Sequence, residues 1–535
     1  MPVIQVDNLA YEHPGGVELF SGLGFRVGDG QHVAMIGANG VGKSTVLRVV
    51  AGELGASEGE VRADAALQLM HQAVGSSDPD LTVRRLLVDT APLWLRSAAV
   101  RLHEAEQAFA HTADEANGTA VATAIAEWAE LGGFDEEAKW DACTSRVLRQ
   151  SLEVAGPRPV RTLSGGERKR LVLESLFASD VPILLLDEPD NFLDIMGKRW
   201  LEERIAGSGK TILFVSHDRE LLAAAASGIV TLEGVGCWTH PGSFASYAAA
   251  REARNERLGD AERRWHDEER RLFRHYKEMK QRASVNDGNA KQANAAESRW
   301  KRFVAIGPPE APPVTRSVRM KLTGSRSGKR VLQCEELELV GLADPFDLEV
   351  FFGERVAVLG PNGSGKSHFL RLLGGEVGIE HCGEWRTGAS VVPGIFQQTD
   401  DVATLTGRVL LDVVVSAHDM TEQQAIGALA RYGLAGAARR EFETLSGGQK
   451  ARLQVLMLEL QGTNLLLLDE PTDNLDLLSS EALEAALAGF EGTVLSVTHD
   501  RWFMRGFDRY LVFDHDCTVT EAADLERALA LVVGS

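Results

Sequence analysis

Two nine-residue stretches place glycines, a lysine and a hydroxyl at a spacing that can cradle phosphate. Gly37-Ala38-Asn39-Gly40-Val41-Gly42-Lys43-Ser44-Thr45 is echoed by Gly360-Pro361-Asn362-Gly363-Ser364-Gly365-Lys366-Ser367-His368. Each follows a short β-branched run (Val33 to Ile36; Val356 to Leu359) and precedes an apolar, helix-like stretch. That strand–loop–helix context is what a phosphate-binding loop requires. Glycines let the backbone curl so that successive N–H groups face a β-phosphate, and the helix N-terminus adds its positive end. Lys43 and Lys366 would reach the β- and γ-phosphates, and Ser44 and Ser367 would hold Mg²⁺.

The repetition continues downstream. Leu163-Ser164-Gly165-Gly166-Glu167 returns as Leu445-Ser446-Gly447-Gly448-Gln449, and Leu186-Asp187-Glu188-Pro189 as Leu468-Asp469-Glu470-Pro471. A continuous apolar run ending in two acids reads as a buried parallel strand presenting carboxylates at its C-terminal edge. His217-Asp218-Arg219 and His499-Asp500-Arg501 follow. From Ser164 to Asp187 is 23 residues, as from Ser446 to Asp469; from Glu188 to His217 is 29, as from Glu470 to His499. Matching internal spacing in a pattern of several parts marks a duplicated domain.

These motifs resemble the ATP-binding cassette superfamily: P-loop, Q-loop, LSGG signature, acidic strand end with a catalytic glutamate, D-loop and switch histidine. The resemblance spans nearly all of the chain outside residues 247–316. It implies two domains packed head to tail, with each ATP held between one P-loop and the other domain's signature. The first site would use Lys43, Ser44, Gln72, Asp187, Glu188 and His217, closed by Ser446, Gly447 and Gly448. The second would use Lys366, Ser367, Gln398, Asp469, Glu470 and His499, closed by Ser164, Gly165 and Gly166. Mg²⁺ would be held through Ser44, Gln72 and Asp187, and through Ser367, Gln398 and Asp469. Glu188 and Glu470 would polarise the attacking water, while His217 and His499 would orient it and the γ-phosphate. Both sets are complete, so two ATP-hydrolysing sites are expected.

Three departures from the family pattern are expected to make the sites unequal. His368 stands where the first copy has Thr45, removing one hydroxyl from the α-phosphate's surroundings. Tyr11 stands where an adenine-stacking aromatic is usual, and its counterpart is Leu339. The D-loops also differ, Pro189-Asp190-Asn191-Phe192-Leu193-Asp194 against Pro471-Thr472-Asp473-Asn474-Leu475-Asp476.

These parts need an α/β scaffold: two P-loop cassettes, residues 1–246 and 317–535, joined by a long antiparallel helical linker at 247–316. Composition agrees, with 535 residues, 44% hydrophobic and 25% charged, ordinary for a folded chain of several domains. No apolar run approaches the length of a membrane span, and the five scattered cysteines suit a reducing compartment, so a cytoplasmic protein is expected. Gln72 to Ser164 is 92 residues against 48 from Gln398 to Ser446, which places an insertion in the first cassette. Apolar positions Trp94, Ala98, Leu102, Ala105 and Phe109, a break near Asn117-Gly118, then Val121, Ala124, Ile125 and Trp128 predict a helical hairpin within about 84–140. That arm carries five basic and ten acidic residues.

Leu258, Ala261, Trp265, Leu272 and Met279, and then Ala293, Ala296, Trp300 and Phe303, follow heptad-like spacing on either side of a turn at 284–289. A first helix of about 37 residues is expected, with Pro308, Pro309, Pro312 and Pro313 ending the region. Residues 251–303 hold 15 Lys or Arg and 10 Asp or Glu, a net of +5 in a chain whose total is −21. The basic lever would face RNA through Arg274, Lys277, Lys280, Arg282 and Lys291.

Paired cassettes, a helical arm, a basic helical linker and no membrane domain resemble the ABC-F family. That resemblance implies a monomer, with its two cassettes paired, that binds the 70S ribosome at the tRNA exit site. The linker would lie toward 23S rRNA and the peptidyl-site tRNA, and the arm toward the L1 stalk. Members of the family either relieve stalled ribosomes or protect ribosomes from antibiotics. The 297–303 stretch Glu-Ser-Arg-Trp-Lys-Arg-Phe followed by Gly307-Pro-Pro is similar to actinobacterial members linked to macrolide-type resistance. A transporter ATPase serving a separate membrane subunit is one rival reading, though a transport cassette needs neither the arm nor the basic linker. A DNA-repair ATPase is the other, which cofractionation with DNA rather than ribosomes would favour.

Overall fold

The apolar runs that end in acids become interior strands of two mostly parallel sheets. The computed structural model describes residues 3–72, 74, 78, 80–285, 290–313, 320, 322, 326–396, 405, 407–418, 420–473 and 475–534. It forms two compact units: Met1–Pro241 with Ser317–Ser535, and Gly242–Arg316.

The first unit contains both cassettes. In the first cassette six strands run in the order Leu67–Met70, Ile183–Asp187, Thr211–Val215, His32–Gly37, Gly228–Leu232 and Cys237–His240. All neighbours pair in parallel except the last. The second cassette repeats this order with Pro393–Phe396, Leu465–Asp469, Thr493–Val497, Arg355–Leu359, Arg509–Phe513 and Val519–Ala522. Every residue of Ile183–Asp187, Thr211–Val215 and Leu465–Asp469 is buried, as strands covered on both faces must be. Each fully buried Leu, Ile or Phe there contributes roughly 1.5–3 kcal/mol. A three-stranded antiparallel sheet flanks each body, Val17–Val27, Ile4–His13 and Glu58–Ala63 in the first and Ala343–Phe351, Arg330–Leu339 and His381–Thr387 in the second. In both bodies the strand tips that matter converge at one edge, where the phosphate loop leaves its strand.

Between the Q-loop strand and the signature helix, the second cassette has helices Leu410–His418 and Glu422–Arg431. The first has Val83–Thr90, Leu93–His111, Glu115–Glu130 and Gly133–Leu148. The break in the arm differs from the expectation at Asn117-Gly118: it falls at Thr112–Asp114. Asp114 accepts the Asn117 N–H at 2.8 Å as an N-cap, and Asn117 Nδ2 donates to Thr112 O at 2.8 Å. Those bonds put Asn117 and Gly118 inside the first helical turn. The buried stripe also shifts, because Leu95 and Ala98 are 3% and 1% exposed while Trp94 and Phe109 are 50% and 41% exposed.

The second unit is a pair of helices, Phe244–Val285 and Ala290–Ile306. The first has 42 residues, longer than the 37 expected, because helix begins at Phe244 rather than at Tyr247 and runs on to Val285, into the stretch expected to turn. The pair is held by aromatic rings more than by aliphatic heptads. Trp265 stacks on Phe303 at 5.3 Å, Trp300 on Tyr276 at 5.8 Å and against Phe273 at 5.1 Å. Leu272, Ala293 and Ala296 are buried between them. Trp300 Nε1 donates to Glu269 at 3.3 Å, so the large ring is not left with an unmet donor.

Candidate nucleotide sites between the cassettes

Each phosphate loop enters its helix through a left-handed glycine. Gly42, at φ +104°, precedes Lys43–Val50, and Gly365, at φ +92°, precedes Lys366–Leu373. A Cβ on Gly42 would stand 2.7 Å from the Phe20 ring, and one on Gly365 would stand 3.0 Å from Leu342, so neither position admits a side chain without displacing its neighbour. Lys43 Nζ donates to Gly37 O at 2.9 Å and Ala38 O at 3.2 Å; Lys366 Nζ donates to Gly360 O at 3.0 Å and Pro361 O at 2.6 Å. Both lysines are buried, and burial lowers both pKa values against the pull of the nearby carboxylates. Two buried cations tied to carbonyl oxygens are matched to an anionic ligand.

The residues fit Mg²⁺ as well. Ser367 Oγ donates to Asp469 Oδ1 at 3.1 Å, which places the hydroxyl and the carboxylate side by side. In the first cassette Asp187 is 5% exposed and its Oδ1 is buried with no hydrogen-bond partner among the described residues, while its pKa is raised by burial against a Ser44 hydrogen bond. Hard oxygen donors of this kind suit a cation that keeps most of its shell from water and phosphate.

The two glutamates follow these acids at the strand ends, with φ +47° for Glu188 and +49° for Glu470. A non-glycine residue in this region costs of order 1–3 kcal/mol and is characteristic of functional turns. The turns are pinned by Glu188 N–H to Val215 O and Glu470 N–H to Val497 O, both 3.0 Å. Side-chain partners then diverge. Glu188 Oε2 accepts from Gln72 Nε2 at 2.5 Å and Asn191 Nδ2 at 2.7 Å. Glu470 instead accepts the His499 backbone N–H at 3.0 Å, with His499 Nε2 3.5 Å from its other oxygen. The cause lies in the D-loop: Asp473 occupies the position of Asn191 and has no amide to donate. Burial, then neighbouring acids, push both glutamate carboxyls above their usual range. Burial also holds His217 and His499 well below the ordinary histidine value, aided by Lys43 and Lys366 respectively. Both imidazoles are therefore neutral near pH 7. Among the described residues neither ring nitrogen of His217 has a hydrogen-bond partner, which suits it to bond a ligand.

The signature serines cap their helices. Ser164 accepts the Glu167 N–H at 3.2 Å while Glu167 accepts the Ser164 N–H at 2.8 Å, and Ser446 forms the same box with Gln449. The cassettes meet head to tail. Asn362 Nδ2 of the second P-loop donates to Phe192 O of the first D-loop at 3.0 Å, and the first P-loop's Asn39 N–H donates to Asp476 of the second D-loop at 3.1 Å. A cleft of about 220 Å³ is lined by Ser164 and Gly166 of the first cassette and Asn362, Glu470 and His499 of the second. Arg219 crosses to Glu484 and Arg501 to Glu202, each with two hydrogen bonds.

Among the residues expected to bind nucleotide, Tyr11 pairs across the sheet with Phe20, stacks on it at 6.0 Å and is 9% exposed. Leu339 is fully buried, and beside it exposed His368 borders a recess of about 340 Å³ with Leu342, Arg371 and Glu380. Gln68 is tied to Thr90 O and Ser179, which leaves Gln72 as the glutamine at the first site; Gln398 lies outside the described residues. Thr45 follows Ser44 in the first turn of its helix. Sequence reasoning missed Asn191, Arg219, Arg501, Glu202 and Glu484. The repeat carried a signal for the last four, since His-Asp-Arg recurs and both glutamates stand eight residues beyond the last D-loop aspartate.

Gly166 offers a test of the head-to-tail geometry. A Cβ there would stand 2.9 Å from Phe192 O and 3.1 Å from Asn362 Nδ2. Gly166→Ala will slow single-turnover hydrolysis at the second site by roughly tenfold or more, an effect of about 1.4 kcal/mol. Equal slowing at both sites would contradict this placement.

A family model described as "ABC transporter" matches residues 20–191 and 343–473. An antibiotic resistance protein of Mycobacteroides abscessus is 48% identical, the match covering 98% of this chain and 99% of that one. The chain belongs to the ABC-F family. The tylosin resistance ATP-binding protein TlrC of Streptomyces fradiae is 32% identical over 90% of this ABC-F chain and 92% of its own length. Among solved structures, archaeal ribosome recycling factor aABCE1 in complex with stalk protein aP1 matches with a TM-score of 0.60 over 98% of this chain and 92% of that one. At 19% identity that likeness speaks to the fold of paired cassettes. This ABC-F chain is an ATP hydrolase. Among the described residues no helix is long and apolar enough to cross a membrane.

Proposed function

We propose that this ABC-F ATPase is a cytoplasmic factor that closes on two ATP molecules, binds the 70S ribosome at the tRNA exit site and protects it from antibiotics of the macrolide type. The observation that carries the reading is the full-length similarity to a protein named for antibiotic resistance. The likeness to TlrC, and to aABCE1 with its ribosome recycling role, supports it. The basic helical pair gives the protein a means of binding RNA. Arg274, Lys277, Lys280, Arg282 and Lys291 are all exposed, and Lys277 and Lys280 sit 4.9 and 5.5 Å over the rings of Phe273 and Tyr276. Anchoring each flexible stem on a ring reduces the entropy lost when its ammonium meets a phosphate. Through this end the protein would face 23S rRNA and peptidyl-site tRNA, and through its acidic arm the L1 stalk.

At each composite site Lys43 or Lys366 would neutralise the terminal phosphates, and Ser44 with Asp187, or Ser367 with Asp469, would hold Mg²⁺, which would supply further charge neutralisation for phosphoryl transfer. Glu188 and Glu470 accept hydrogen bonds from the attacking water. Neutral His217 and His499 orient that water and the γ-phosphate.

The resistance reading is tested by adding purified protein and ATP to a translation extract stalled by tylosin. Restored synthesis is the expected result. A protein that associates with ribosomes yet restores nothing would favour a housekeeping translation factor. Replacing the five basic residues by glutamine should weaken ribosome binding and flatten its salt dependence by roughly 0.7–0.9 in slope for each phosphate no longer neutralised. An unchanged slope would remove the linker from the RNA interface.

A further inference from the structure

Each catalytic glutamate has a P-loop lysine near it, and each has a second lysine as well. Both second lysines come from the first cassette. Lys169, on the signature helix Gly165–Ala178, is 1% exposed and donates to Gln72 O at 3.1 Å, among Asp187, Glu188 and Asp190 of its own cassette. Lys198, on helix Ile195–Ala206, is buried, pairs with Asp218 at 3.0 Å and forms part of the wall of the second site's cleft with Glu470, Asp473 and His499.

The duplicated halves make the asymmetry plain. Five residues after the signature serine, Lys169 corresponds to Ala451; four residues after the last D-loop aspartate, Lys198 corresponds to Ser480. Buried Asp190, within electrostatic reach of both lysines, corresponds to Thr472. The first cassette thus carries two cations and an acid where the second carries three neutral residues. The second D-loop has the complementary peculiarity. Where Asn191 donates an amide to Glu188, Asp473 puts a second carboxylate on the loop of Glu470, its N–H bonded to Glu470 O at 3.2 Å. Glu470 is buried and Asp473 exposed on the same short loop, and two like charges so close repel unless a cation offsets them. Lys198, paired with Asp218 of its own cassette, lines the same cleft as both carboxylates and comes from across the interface.

We propose that Lys198 is a positioning residue of the second ATP site, acting in trans. It holds the Asp473 and Glu470 carboxylates in the arrangement in which Glu470 receives the attacking water. Lys169 does the corresponding work for Glu188 within the first cassette. Hydrolysis at the second site therefore depends on a first-cassette side chain beyond the signature, whereas the second cassette has Ser480 at the matching position. This inference rests on the composite-site reading above.

The test is single-turnover hydrolysis of prebound ATP in two backgrounds of the full chain. Glu188→Gln leaves the second site active, and Glu470→Gln leaves the first. Adding Lys198→Ser should slow the Glu188→Gln protein by roughly tenfold and the Glu470→Gln protein by less than about twofold, with ATP affinity changed little in either. Lys198→Arg should restore most of the rate, and Asp473→Asn added to Lys198→Ser should recover part of it by removing the like charge. Lys169→Ala should give the mirror pattern. Equal slowing in both backgrounds, or a loss confined to ATP affinity, would overturn the proposal and leave the composite sites standing. If neither glutamine variant lowers turnover on its own, the composite-site reading fails and this inference fails with it.

Discussion

Replacing Glu188 and Glu470 together by glutamine will give a protein that binds ATP and scarcely hydrolyses it, with kcat lower by roughly 10²–10⁴-fold. The P-loop lysines, the signature caps and the cross-cassette bonds are untouched by the change, so binding persists. Glutamine keeps an oxygen that can accept from Gln72 and Asn191 at position 188, and from the His499 N–H at position 470. What disappears is the carboxylate held at the strand end by a strained, doubly anchored turn. Phosphate release and nucleotide binding, measured on the same preparation, separate the two functions. Retention of more than about a tenth of wild-type turnover would mean that the water is activated elsewhere, since loss of a general base costs more than that.

Breaking one crossing ion pair will produce the second large effect, on closure of the cassettes. Arg501 and Glu202 have side chains only 10% and 14% exposed, and Arg219 and Glu484 are 7% and 27% exposed. Arg501→Met strands Glu202 in the interface. A fully buried partner left unpaired costs about 3–5 kcal/mol, so about 2–4 kcal/mol is expected for this partly exposed one. Both groups are hydrated when the cassettes part, so the cost falls on the closed state alone. The closed-to-open ratio with ATP should fall by roughly thirtyfold or more, every 1.4 kcal/mol being a factor of ten. Energy transfer between dyes on the two cassettes, in the Glu188→Gln/Glu470→Gln background, reads this directly. Exchanging the charges, Glu202→Arg with Arg501→Glu, should recover much of the loss. No change on Arg501→Met would show that the pair contributes nothing to closure. By contrast Arg505 is 53% exposed and its pair with Glu220 should be worth no more than about 1 kcal/mol.

The parts of this protein legible in the sequence are those fixed by local rules. A glycine-lysine-serine loop must sit between a strand and a helix to cradle phosphate, and a fully apolar run ending in two acids must be a covered strand. Duplication then supplies the comparison that exposes the inserted arm. Long-range pairings are harder to read. Arg219 meets Glu484 across 265 residues and Arg501 meets Glu202 across 299, and no periodicity links such partners. The arm breaks away from Asn117-Gly118, although Asn-Gly is an ordinary turn signal, because Asp114 provides a stronger helix start three residues earlier. Tyr11 is ambiguous in the sequence because its type suits both a stacking platform and a half-buried strand position, and its packing on Phe20 is visible only in the fold. Lys198 becomes visible only by asking why one half of a repeat buries a charge that the other half lacks.

The net charge of −21 first suggests a chain repelled by nucleic acid, but residues 251–303 hold +5 and the remainder −26. Acidic bodies with one basic helical pair favour a single mode of RNA binding over indiscriminate attraction. The most direct test of that central claim is sedimentation of cell lysate containing the Glu188→Gln/Glu470→Gln protein in the presence of ATP. Held closed on nucleotide, the protein should travel with 70S ribosomes, and should leave them when ATP is omitted. A protein that stays at the top of the gradient with ATP bound would contradict the ribosomal role.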